Sequence, residues 1–202
     1  NLSEKPQSED EKQKDFIKLF CRTNPNPSDL SNAKAYLNYY EKYTKNRFLL
    51  DSAEYYLLKL NEKESVKTKY FIRLNFLKEN YTEVVKISEK YQTDDTWTNY
   101  RIGQSYFNLN LIPKSIIYLQ KAVDTAPLDI DFSNRLASAL IKNSEFDKAQ
   151  KVLESNYQNN PKIATTNNLL GFCIVSNAMK NNLSYELAEQ YFLSAIQLDP
   201  DL

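Results

Sequence analysis

The chain has 202 residues, 42% of them hydrophobic and 26% charged, with 26 Lys plus Arg against 26 Asp plus Glu. Binding to phosphate backbones rests on a positive surface, so this zero balance argues against a nucleic-acid partner. Histidine is absent, which removes the commonest general base and metal ligand and with it Ser-His-Asp chemistry and most transition-metal sites; no cofactor and no metal are expected.

Residues 1–9 are polar, hold Pro6 and show no apolar periodicity, so they read as a solvated tether. The spacing of Phe16, Ile17, Phe20 and Cys21 predicts a helix over about 10–22. It ends at Asn24-Pro25-Asn26-Pro27, because proline disfavours helical geometry in the residue before it. Ser28 and Asp29 open the next helix, about 30–43, with Ala33, Tyr36, Leu37 and Tyr40 at helical spacing. Its partner, about 48–61, carries Ala53, Leu57 and Leu60, and the two halves lie about one helical turn further apart than in the units that follow. Residues 65–95 form a degenerate unit, in which Ile72 replaces a small residue and Asn75 falls in an apolar column.

From Thr96 to Ile163 the same segment occurs twice. Gly103, Ala137 and Gly171 fall 34 residues apart, and Ile102, Leu136 and Leu170 keep that interval, as do Tyr106, Leu140 and Ile174. Ser115 pairs with Ala149, Leu119 with Leu153 and Pro127 with Pro161. A fixed period of this size marks a stacked repeat protein. Both glycines of the chain stand in one column of the register, where a missing side chain lets two helices approach closely. Pro113 falls in the first turn of its helix, where a missing N–H does no harm, and Ser144-Glu145-Phe146-Asp147 reads as a helix-opening turn. The last unit begins at Ala164, and its second-helix columns Ala188, Phe192, Ala195 and Pro200 come five residues late. The additional residues lie within Asn177 to Tyr185 and are expected to enlarge the turn between the two helices.

This pattern resembles the tetratricopeptide repeat (TPR) family, a helix-turn-helix repeat with small residues at the helix crossing and a proline closing the unit. The resemblance implies an all-α, right-handed α-solenoid of about four to five repeats plus an N-terminal helix. The expected boundaries are about 10–27 (a half repeat or cap), 30–64, 65–95, 96–129, 130–163 and 164–202, with the solenoid spanning 10–202. In such an array Cys21 and Cys173 lie toward opposite ends, too far apart for a disulfide. The final helix carries no polar cap of the kind terminal repeats need, so the sequence reads either as a fragment of a longer array or as a chain whose end a partner covers.

In this family the first helix of each unit lines a groove that holds extended peptides or helices. Carried over, the resemblance places Trp97, Tyr100, Gln104, Phe107 and Asn108 in that groove, then Asn134, Ser138 and Ile141, then Asn168 and Phe172. Asn134 and Asn168, one repeat apart, resemble the asparagine ladders with which some TPR proteins hold a peptide backbone; an amide donates and accepts at once. The carboxylate clamp of chaperone-binding members is not matched. Lys69 and Arg73 imitate its first part, but Tyr100 and Asp131 stand where it needs polar or basic groups. The expected function is a non-catalytic protein–protein interaction scaffold whose partner is a protein or peptide segment. The alternative is a structural or sensory segment of a larger, multi-repeat or membrane-anchored assembly. An enzyme built on an α/α-barrel would need a closed toroid, which four to five open repeats cannot make. Fifteen tyrosines, with Tyr39, Tyr40, Tyr43, Tyr55 and Tyr56 on one helix pair, are expected to bridge its wider spacing. Cytoplasm and bacterial periplasm both stay open as locations, and a polar tether ahead of a folded domain would suit a lipoprotein.

Overall fold

The computed structural model describes residues 28–43, 46–181 and 184–201. The tether and the helix expected over 10–22, with Cys21, lie outside the described residues. Among the described residues there are ten helices and no strand, and 79% are helical, so the fold is an all-α helical repeat. By internal packing the chain divides between Asn80 and Tyr81 into two compact units.

The first unit contains α1 (Asp29–Tyr43), α2 (Arg47–Lys59) and α3 (Glu64–Leu77), each packed on the next. Asn46 opens α2 by accepting the N–H of Phe48 at 3.1 Å, which satisfies one of the donors left over at a helix start. Ala33 and Ala53 keep α1 and α2 close, and Leu37, Leu50, Leu57, Leu60 and Leu74 fill the space around them. Tyr36 and Tyr56 stack across the two helices with ring centroids 5.9 Å apart. Ile72, the large residue in a small-residue column, is wholly buried in α3.

The second unit contains α4 (Tyr81–Ser88), α5 (Thr96–Asn108), α6 (Ile112–Thr125), α7 (Ile130–Lys142), α8 (Phe146–Asn159), α9 (Ala164–Asn181) and α10 (Glu186–Leu198). Each helix packs on its successor, and α5, α7 and α9 also pack in succession. Asp95 and Asp129, one repeat apart, start α5 and α7 by accepting from Thr98 N at 2.9 Å and Phe132 N at 3.1 Å. The core is a column of Leu119, Leu136, Leu140, Leu153 and Leu170 around Ala137, Ala149 and Cys173.

The helix ends explain where the repeat holds and where it slips. Glu79, Asn110 and Ser144 have positive φ of 58°, 60° and 62°. The N–H after each returns to the carbonyl five residues back, at 2.9 Å in all three: Asn80 to Asn75, Leu111 to Tyr106 and Glu145 to Leu140. This is the left-handed C-terminal stop of a helix. In the next copy of the column stands Ala178, a strong helix former that is buried and helical. The last unit therefore absorbs its additional residues differently from the enlarged turn expected. α9 runs on through Ala178 to Asn181, 18 residues against 13 in α5 and α7. No helix among the described residues is long and apolar enough to cross a membrane.

Candidate functional site

The site builds up from successive helix faces of the second unit. α5 and α7 share an interface in which Trp97, Tyr100 and Phe132 form an aromatic wall. The Tyr100 and Phe132 rings are 4.5 Å apart, and Trp97 stands edge-on to Phe132 at 4.8 Å. Phe132 is buried, but Trp97 remains 52% exposed. The ring is thus anchored along one edge and presents the rest of its surface outward.

Beside this wall lies an open cleft of about 280 Å³, bounded by Tyr100 of α5, by Asp131, Asn134, Arg135 and Ser138 of α7, and by Ile163 and Thr165 at the start of α9. Burial pushes the Tyr100 hydroxyl above the usual tyrosine range, while the neighbouring Arg135 guanidinium acts in the opposite sense. Gln104, with its carbonyl turned toward α7, accepts from Arg135 Nε at 3.1 Å, from Arg135 Nη2 at 3.2 Å and from the Tyr100 hydroxyl at 3.0 Å. The guanidinium lies over Phe107, 5.6 Å from the ring centroid, and Lys142 Nζ is 4.9 Å from the same centroid. Of the expected residues, Tyr100, Asn134 and Ser138 line the cleft together with Arg135, and Gln104 and Phe107 meet its guanidinium.

The others are placed differently. Asn134 is only 7% exposed, and its Oδ1 accepts from Asn156 Nδ2 of α8 at 3.0 Å and from Thr166 Oγ1 of α9 at 3.1 Å. Its oxygen thus ties three helices together. Asn168, its repeat mate, is exposed and outside the cleft lining. Asn108 is exposed, Ile141 is half-buried against the core, and Ser138 donates back to the Asn134 carbonyl at 2.9 Å. Phe172, 49% exposed, lies near Phe146 of α8 rather than at the cleft.

Arg135 is the residue that sequence reasoning passed over. Its signal was the Arg101/Arg135 column, two arginines one repeat apart, with Asp131 one turn earlier on the same helix face. Arg101 itself lies over the Trp97 ring at 5.5 Å.

Residues 98–127, which span α5, the turn after it and α6, match the family model for the tetratricopeptide repeat. No curated protein matches the chain in sequence. Among solved structures the chain is similar to YrrB, described as a TPR protein with an unusual peptide-binding site. The two share 20% identity with a TM-score of 0.66, over 90% of this chain and 93% of that one. It is also similar to the AMB-1 form of MamA, at 15% identity and TM-score 0.67 over 93% of this chain and 94% of that one. A third is MamA from Desulfovibrio magneticus RS-1, at 18% identity and TM-score 0.65 over 84% and 96%. These likenesses bear on the fold, and the matched repeat bears on the sequence. One tetratricopeptide repeat is thus matched in sequence, over residues 98–127, within an all-α helical repeat whose fold is like that of known TPR proteins.

Proposed function

We propose that the chain is a non-catalytic binding scaffold whose second unit holds an extended segment of a partner protein across α5 and α7. The observation that carries this reading is the pairing of an anchored, 52% exposed Trp97 with an open cleft lined by hydrogen-bonding groups. Rigid aromatic surface dominates interface energies, and amide and hydroxyl groups can pair with a peptide main chain whatever its side chains are. The likeness to a protein described as having a peptide-binding site supports the same reading. Asn134 belongs to the fold as much as to the cleft, so Trp97 is the cleaner handle for a test.

The test is selection of binders from a phage-displayed library of random peptides, followed by titration of synthetic copies into wild type and Trp97→Ala. Loss of an aromatic anchor should weaken binding about thirtyfold without changing the circular dichroism spectrum. Unchanged affinity in a folded variant would move the working surface elsewhere. The alternative, a segment of a larger assembly acting through its end, draws on α10, whose Leu193 and Ile196 are each 60% exposed. A partner lost on Leu193→Asp and kept on Trp97→Ala would favour it.

A further inference from the structure

We infer that the bound segment is acidic, and that Arg135 takes the carboxylate of an Asp or Glu side chain within it. This rests on the peptide-binding reading and names the chemistry of its partner. A guanidinium carries five N–H donors in a fixed plane. In Arg135, Nε and one edge of Nη2 are spent on the Gln104 carbonyl, and one face lies over Phe107. The Tyr100 hydroxyl is a further side-chain hydrogen-bond partner, so the group is held in place by neutral partners.

The contrast with Arg73 shows what is missing. Arg73 of α3, half-buried like Arg135, is matched within its own unit by the Glu41 carboxylate and by Asn38 Oδ1. Among the described residues no carboxylate pairs with Arg135. A partly desolvated, pre-oriented guanidinium without a counter-charge is a receptor for a planar anion, which it can grip through two parallel hydrogen bonds. Lys142, against the same phenylalanine ring, adds to the positive field. Asp131, which lines the same cleft, opposes it and disfavours a doubly charged group such as phosphate, so a single carboxylate fits best. Arg135 has Tyr100 of α5 on one side and Ile163 and Thr165 on the other. A segment touching both sides passes it in mid-chain, so the carboxylate comes from a side chain and not from a chain terminus.

The experiment uses the full chain and the peptides selected above. The expected result is that they share an Asp or Glu. Replacing it by the matching amide in the peptide, or Arg135 by Gln in the protein, should each weaken binding about tenfold or more. The two changes together should cost little more than either alone, because they remove one interaction. Arg135→Lys should recover only part of the loss, since it restores charge without the fork, and Lys114→Gln, an equal charge change on α6, should leave affinity within about twofold. Selected peptides without a shared acidic residue would overturn the inference and leave the groove standing, as would acidic peptides that bind wild type and a folded Arg135→Gln equally. Loss of binding on amidating only the peptide's C-terminus would also overturn it, in favour of a terminal carboxylate. Failure to select any peptide would overturn the groove reading itself, and this inference with it.

Discussion

The α5/α6 and α9/α10 crossings hold the same residue in the same repeat column and use it against different neighbours. At Gly103 a Cβ would lie 2.7 Å from Leu119 Cγ and 3.0 Å from the Leu119 backbone nitrogen, and Ser115 Oγ donates to the Gly103 carbonyl at 2.8 Å. At Gly171 the nearest atoms to a Cβ all belong to one ring edge, that of Phe192, at 2.8–2.9 Å. The partner stands sixteen residues on in the first case and twenty-one in the second. What differs upstream is the stop: α5 ends at the left-handed Asn110, whereas α9 passes through Ala178 and pushes α10 late. A glycine column therefore fixes where two helices touch, while the residue at the C-terminal stop decides which side chain meets it.

The largest effect expected of this difference is in stability. Alanine at either position gains about 0.5–1 kcal/mol from helix propensity, and overpacking costs about 1–3 kcal/mol where neighbours cannot yield. At Gly103 the backbone of α6 blocks relief, so Gly103→Ala should lower the thermal midpoint, and Gly103→Leu more so. At Gly171 the half-buried Phe192 ring can swing away, and the two terms nearly cancel. Equal shifts for the two alanine variants would mean that the two crossings are equally tight.

The fold was largely legible because the period is written in residues whose physics is local: Gly103 and Gly171 for close approach, Leu119 and Leu153 for the core, Pro113 for a first turn. The C-terminal stops were less legible. Asn110, Ser144 and Glu79 have little in common as residue types, and Ser144, in the turn that opens α8 as expected, also closes α7 through its left-handed backbone. The site was legible only in part. A first-helix position names a face, but whether Asn134 turns its oxygen to a ligand or to Asn156 and Thr166 depends on residues 22 and 32 positions away. Arg135 went unnoticed because its meaning lies in the carboxylate it does not meet.

A smaller effect is expected from the hydrogen bond that only the first crossing has. Ser115 is fully buried, and its hydroxyl serves the Gly103 carbonyl; the matching position on α8 is Ala149. Ser115→Ala should cost about 0.5–1.5 kcal/mol, read as a shift in urea midpoint at constant slope. A neutral or stabilising result would show that the α5/α6 crossing is held by shape alone, as an alanine there would allow.

The least visible difference at neutral pH sits two residues beyond each glycine. In α5 that column holds Ser105, whose hydroxyl donates to the Arg101 carbonyl at 2.7 Å; in α9 it holds Cys173, a free thiol with no exposed surface. Burial pushes the Cys173 thiol up from 9.0 to about 12. In the unfolded chain the thiol ionises at its ordinary value, so as pH rises past 9.0 the unfolded state holds fewer protons than the native one and stability must fall. The loss continues until the native thiol itself ionises near 12, and below 9.0 the term is flat. The half-buried Tyr100, Tyr118 and Tyr191 contribute a fall of the same sign in that range, so the measurement is a difference. Thermal midpoints of wild type and Cys173→Ala are followed upward in pH from neutrality. Wild type should lose stability relative to the variant once pH passes the ordinary thiol range, from whatever fixed offset the lost packing sets at neutral pH. Parallel curves would mean that Cys173 titrates in the native chain as it does unfolded, and that water reaches the α9 side of the core.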